Sequence, residues 1–284
     1  MPVAGSPGSG GNNGSAGNAG STNIAGTTGS AGNTGNAGSA NNGGAGGGGD
    51  GAGIPCTEPF EAVDSDLEGC IAEVEGVTIK FFPLAPGKAV KRVAVYLHGD
   101  TAEDWKGWYQ FLGDTVEWCK ARDILVVAPL SPVSYDDDPP EDRSYGAAQG
   151  EDAELIGNAL EKVLDAYKTP HQGLLYWTLS GGSWFVTSSF LPLMGARLPG
   201  SYALSCGASE FWYDYEWDLE GPARAQNKLL FNYGTEDFLL DGEEASAEKY
   251  EEDGFSVTVK TYPGAQHCDH PVHEPTIEFW QQSL

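Results

Sequence analysis

Leu174-Leu175-Tyr176-Trp177-Thr178-Leu179 is an apolar run of strand length that passes without a linker into Ser180-Gly181-Gly182-Ser183, and residues 184–191 continue in helix-compatible composition. A strand that turns this sharply into a helix accepts only small side chains two places before and two places after its apex. It holds the apical side chain out above the sheet edge, a geometry suited to a nucleophile. Ser180 fits the apex, with Gly182 two places on. Thr178 stands where the usual pattern of such turns has glycine, and its β-branched side chain crowds the turn. Ser183 is the competing apex, but the residue two places after it is Phe185, too large for the position, so the sequence favours Ser180.

The rest of the chain repeats the alternation of strand and helix. Val77–Phe82 and residues 90–97 read as early strands joined by a turn at Pro86-Gly87. Ile124–Pro129 is a continuous apolar run, as expected of a strand covered on both faces. Leu155, Ile156, Ala159, Leu160, Val163, Leu164 and Tyr167 recur at helical spacing and predict a crossover helix leading into the 174–179 strand. Residues 275–284 predict a covering helix. The expectation is an α/β fold with a mostly parallel central sheet and helices on both faces.

A serine hydroxyl needs a base, and the base needs an orienting acid. Residues 228–233 read as a strand ending in Gly234-Thr235-Glu236-Asp237, and residues 255–262 as a strand ending in Pro263-Gly264-Ala265-Gln266-His267. Taken singly, Asp237 is a turn residue and His267 a loop histidine. Taken together they give the chain order Ser, Asp, His after successive strands, with His267 as general base for Ser180 and Asp237 holding the imidazole tautomer. Upstream, Val93-Ala94-Val95-Tyr96-Leu97 ends in His98-Gly99-Asp100. The loop after such a strand donates one backbone N–H to an oxyanion and the residue after the nucleophile donates another, which makes the main chains of Asp100 and Gly181 the expected donors. His98 is expected to prop this loop without taking part in chemistry.

These segments together resemble the α/β-hydrolases, over about residues 75–284, and among them the secreted serine esterases grouped with polyhydroxyalkanoate depolymerases, feruloyl esterases and acetyl xylan esterases. The chain departs from them at Thr178, and no cysteine flanks Ser180 as it does in some feruloyl esterases. The resemblance implies an α/β-hydrolase fold, an acyl-enzyme formed on Ser180, small or polymeric ester substrates and no cofactor. A peptidase or amidase using the same three residues is the alternative within enzymes. A non-catalytic surface-binding module on a hydrolase fold is the alternative outside them, supported only by Thr178.

Residues 1–53 are Gly, Asn, Ser, Ala and Thr in loose repeats, with Asp50 as their one charged residue. Such a stretch has too little apolar surface to offset the entropy of ordering, so a tether is expected there and a single catalytic domain over 54–284. The formal charge is −26, from 41 acids against 15 bases, which disfavours nucleic acid and anionic membranes as partners. No apolar run reaches membrane-spanning length. Cys56 and Cys70 bracket a short segment and read as a disulfide. Cys206 and Cys268 would lie at one sheet edge, where a bond between them is one outcome, and Cys119 reads as a buried helical thiol. Disulfides point to an exported or surface-tethered protein, expected to be a monomer. Met1-Pro2-Val3 has neither the basic start nor the apolar core of a signal, so a signal, and any lipid anchor with it, would precede this sequence.

Two aromatic clusters fall where a cleft rim is expected, Trp105 with Trp108 and Trp212 with Tyr213; with Trp184 after the Ser180 turn they are the expected substrate platform. Their alternative role is packing. His267-Cys268-Asp269-His270 with His273 has a metal-like spacing, but Pro271 interrupts a helix that could align these residues and a remote ligand is missing, so no metal is expected. Residues 136–138 with Glu141 and Asp142 could hold calcium, but beside Pro139-Pro140 they read as an exposed acidic loop.

Overall fold

The computed structural model describes residues 53–62, 66–107, 110–135, 142–209 and 221–284. All but the last residue of the expected tether, and with it Trp108, Trp212, Tyr213 and the acidic run 136–141, lie outside the described residues. Nine strands form one sheet in the order β1-β2-β3-β5-β4-β6-β7-β8-β9. They are β1 (Glu58–Glu61), β2 (Glu68–Val74), β3 (Val77–Phe82), β4 (Arg92–Leu97), β5 (Ile124–Pro129), β6 (Leu174–Leu179), β7 (Gly200–Ser205), β8 (Lys228–Gly234) and β9 (Ser256–Tyr262). From β5 through β9 every neighbouring pair is parallel, and β1, β2 and β3 add an antiparallel edge.

The helices are α1 (Glu103–Gly107), α2 (Gln110–Lys120), α3 (Gly150–Tyr167), α4 (Gly181–Phe185), α5 (Leu191–Met194), α6 (Gly221–Arg224), α7 (Leu240–Glu252) and α8 (His273–Gln281). A π-helical turn over Val186–Phe190 joins α4 to α5. Alternation along β4 assigns the two faces of the sheet. Val93, Val95 and Leu97 share a buried cluster with Ile156, Leu160 and Leu164 of α3, while Ala94 and Tyr96 share the other with Leu112 and Val116 of α2 and Trp280 of α8. Every residue of β5 is buried, which is why its sequence is apolar without alternation.

Pro86-Gly87 does not make a hairpin. β3 pairs antiparallel with β5, and β4 lies on the far side of β5. The segment bracketed by Cys56 and Cys70 is the hairpin of β1 and β2, closed by a disulfide between those cysteines. A second disulfide joins Cys206 to Cys268, and Cys119 is a buried free thiol on α2.

The parallel register sets the site. Leu97 pairs with Thr178, Leu179 with Ser205, and Gly234 with Tyr262, so the segments leaving β4, β6, β7, β8 and β9 emerge at one edge of the sheet. In open α/β sheets the carboxyl ends of the strands are where ligands bind.

Candidate active site

Ser180 sits between β6 and α4 with φ 47° and ψ −113°, a backbone conformation that side-chain-bearing residues rarely hold. Its N–H donates to Ser205 O at 2.9 Å, and its carbonyl accepts from Ser183 N at 2.9 Å and Trp184 N at 3.0 Å, which starts α4. Two close approaches fix the turn. A Cβ on Gly182 would come within 2.3 Å of Leu97 O, and one on Gly207 within 2.5 Å of Ser180 O. Ser183, the competing apex, is fully buried; its hydroxyl donates to Ser205 O at 2.9 Å, accepts from Ser205 N at 3.0 Å and lies 2.7 Å from the Thr178 hydroxyl.

The Ser180 hydroxyl lies 3.0 Å from His267 Nε2, and His267 Nδ1 lies 2.9 and 3.0 Å from the two carboxylate oxygens of Asp237. A carboxylate only accepts, so Nδ1 carries the proton and Nε2 presents its lone pair to the serine. Asp237 is 6 % exposed and also accepts from Leu239 N at 2.9 Å, which fixes its orientation at the entry to α7. Phe238 is 77 % exposed, with its ring 4.5 Å from that of His267. The residue after His267 is Cys268, bonded to Cys206 at the end of β7.

On the β4 side, His98 is fully buried. Its Nε2 accepts from Ser131 N at 3.0 Å, so Nδ1 carries the proton and donates to Gly99 O at 2.6 Å. Burial pushes its pKa down to about 4, and the ring centroid lies 4.6 Å from that of Tyr145, tilted by 46°. The loop it props enters a short 3-10 turn at Asp100, with Thr101 and Ala102 at φ 63° and 55°. The Asp100 carboxylate accepts from the Ser144 hydroxyl and lies over the Cα of Gly181, so the two residues proposed as oxyanion donors are neighbours.

A cavity of about 790 Å³ opens beside Ser180 and His267, lined among others by Asp104, Asp114, Phe238, His270 and His273. Asp104 accepts from the Tyr96 hydroxyl, and burial pushes its pKa up to about 6. Of the expected aromatic platform, Trp105 does not line this cavity. It is 7 % exposed, its indole N–H donates to Ala128 O at 2.8 Å, and the Lys80 ammonium sits 4.3 Å from the ring. Lys80 also donates to the carbonyls of Trp105 and Lys106 at 2.6 and 3.1 Å, so it and the indole secure the end of α1. Trp184 is half-buried on α4 and likewise does not line the cavity.

The closely spaced histidines diverge. His270 Nε2 donates to Asn232 O at 3.0 Å and His273 Nδ1 meets the Thr115 hydroxyl at 2.7 Å. Cys206, His267 and Cys268 bring ligand atoms within 4.8 Å of one another, but both sulfurs are spent in their mutual bond. One residue near the site carried no sequence signal. Glu243, in the first turn of α7, is 1 % exposed, and neither carboxylate oxygen has a hydrogen-bond partner among the described residues. Burial first, then the charges of Asp237 and Glu244, push its pKa up to about 8.

No family model matches the sequence, and no curated protein does. Among solved structures, the chain is similar to the Bacillus cereus carboxylesterase, with a TM-score of 0.55 at 16 % identity over 73 % of this chain and 95 % of that one. It is similar to esterase PE8, with a TM-score of 0.54 at 16 % identity over 72 % and 97 % of the two chains. An esterase/lipase from an uncultured bacterium has a TM-score of 0.52 at 17 % identity over 78 % and 87 %. With these likenesses, the nine-stranded sheet and its helices identify the fold of the chain as the α/β-hydrolase fold.

Proposed function

We propose that the chain is a serine hydrolase of carboxylic esters. The observation that carries this reading is the continuous line from the Ser180 hydroxyl through His267 to the buried Asp237, with links of 3.0 and 2.9 Å, on a strained strand-to-helix turn. Ser180 attacks the ester carbonyl as His267 Nε2 takes its proton. The imidazolium is stabilised by Asp237, and the proton then passes to the leaving alkoxide, which departs as the alcohol. The resulting acyl-enzyme is hydrolysed by water activated by the same histidine. Main-chain N–H groups of Gly181 and Asp100 are the proposed oxyanion donors, each typically contributing about 2.7–4 kcal/mol. The esterases among the structural neighbours favour esters over amides as substrates. Two disulfides favour export, and among the described residues no helix is long and apolar enough to cross a membrane.

The test is burst and steady-state release of p-nitrophenol from acetate, butyrate and octanoate esters, with Ser180→Ala beside the wild type and p-nitroanilides as the amide arm. Ester turnover that is lost in Ser180→Ala is the expected result. Wild-type activity in the variant would move the nucleophile elsewhere, and faster cleavage of anilides than esters would favour the peptidase.

A further inference from the structure

Apart from the imidazoles of His267, His270 and His273, the ionisable side chains that line the cavity beside Ser180 are of one sign. Asp100, Glu103, Asp104, Asp114 and Glu274 line it, and no Lys or Arg does among the described residues. These acids come from three separate places in the fold: the end of β4 with α1, the middle of α2, and the start of α8. Little cancels them. Asp100 and Asp104 accept from the neutral hydroxyls of Ser144 and Tyr96, Glu103 has Lys106 at 3.8 Å, and Asp114 and Glu274 form no ion pair among the described residues. The exposed Phe238 ring adds an aromatic face to the same cavity. A cleft of one charge focuses its field on whatever enters, and an aromatic face attracts a cation through its quadrupole. A neutral ester gains from neither feature, and a negatively charged one is repelled.

We propose that this cavity selects esters whose non-reacting part carries a fixed positive charge, an alkylammonium group, over neutral esters of the same shape, and rejects esters bearing a carboxylate. The ester part of this inference rests on the reading of Ser180 given above. The charge part rests on the cavity walls alone.

The two parts separate experimentally. Butyrylcholine and 3,3-dimethylbutyl butyrate differ by a trimethylammonium against a tert-butyl group. Calorimetric titration of both into the Ser180→Ala protein reads binding without turnover, and kcat/KM of the wild type on the same pair reads catalysis. At low salt, about 10 mM, the cation is expected to bind at least about tenfold tighter, with the advantage shrinking several-fold at about 0.5 M salt. Asp114→Asn combined with Glu274→Gln, in the Ser180→Ala background, is expected to bring the ratio of cation to neutral-ester binding close to one. Equal binding of the two esters, or a cation preference untouched by the double variant, overturns the proposal. Preferential binding of the cation, with neither ester hydrolysed by the wild type, sustains charge selection and removes the esterase reading instead.

Discussion

The hydroxyl of Thr178 lies 2.7 Å from that of Ser183, and both are fully buried under the turn that carries Ser180. Thr178 occupies the place where such turns usually have glycine, and Ser183 was the competing apex. They form one tie, continued from Ser183 to the carbonyl and N–H of Ser205 on β7. Ser183 keeps both its bonds to Ser205 when Thr178 is changed, so what is lost is one buried hydrogen bond, worth about 0.5–1.5 kcal/mol. Thr178→Val keeps the shape and removes the hydroxyl, so denaturant unfolding is expected to report a loss of about that size. Thr178→Gly, which restores the usual pattern, is expected to be less stable still, because it also empties buried volume. A glycine variant as stable as the wild type would refute this account.

Gly207 approaches the same turn from β7. Because a Cβ there would meet Ser180 O at 2.5 Å, Gly207→Ala has to push the turn or its own strand end aside. Overpacking of this kind costs about 1–3 kcal/mol. The displacement falls on the proposed nucleophile, so kcat for p-nitrophenyl butyrate is expected to drop by about tenfold to a hundredfold. Unchanged kinetics in a folded Gly207→Ala protein would show that the backbone yields without moving Ser180.

The parts of this architecture that the sequence displays are those where burial and chain order coincide. Ile124–Pro129 and Leu174–Leu179 are apolar because helices cover both faces of the sheet there, and Ser180, Asp237 and His267 come together because parallel strands deliver their ends to one edge. The edge strands are hidden for the opposite reason. β1 is exposed at three of its four positions, and its pairing with β2 is tied by the Cys56–Cys70 bond rather than marked by an apolar pattern. Trp105 misleads because a short string of Trp, Lys and acids looks like a solvent-side rim. Its burial depends on Lys80 and Ala128, residues 25 and 23 positions away that meet it only in the folded chain. Glu243 has the same character: nothing in an acidic helix start marks the one carboxyl that turns inward.

The two disulfides should behave differently. Cys56–Cys70 closes a separation of 14 residues and Cys206–Cys268 one of 62, for which chain-entropy reasoning gives about 3 and about 4 kcal/mol. Only the second is adjacent to His267. Replacing Cys56 and Cys70 by serine is expected to lower Tm with kcat retained. Replacing Cys206 and Cys268 is expected to lower Tm further and to reduce kcat by about tenfold or more, since the loop carrying the proposed base loses its tie to β7. Equal kcat in both double variants would mean that Asp237 and the loop backbone hold His267 unaided.

The buried Glu243 predicts a falling limb in the dependence of stability on pH. With its pKa pushed from 4.5 up to about 8, the folded protein keeps a proton that the unfolded chain has released between those values, so stability declines as pH rises through that window. His98 works in the opposite sense. Pushed from 6.5 down to about 4, it stays neutral in the fold while the unfolded chain takes up a proton, so stability rises with pH from about 4 to 6.5. The two largely cancel below 6.5, and between 6.5 and 8 Glu243 acts alone of the pair. At about 1.4 kcal/mol per unit, that interval of 1.5 units corresponds to a loss of about 2 kcal/mol. Glu243→Gln has no proton to lose, so urea unfolding at a series of pH values is expected to give a flatter profile between 6.5 and 8, whatever the substitution costs at a single pH. A variant that keeps the wild-type slope would place the declining limb on another group and leave Glu243 ionised in the fold.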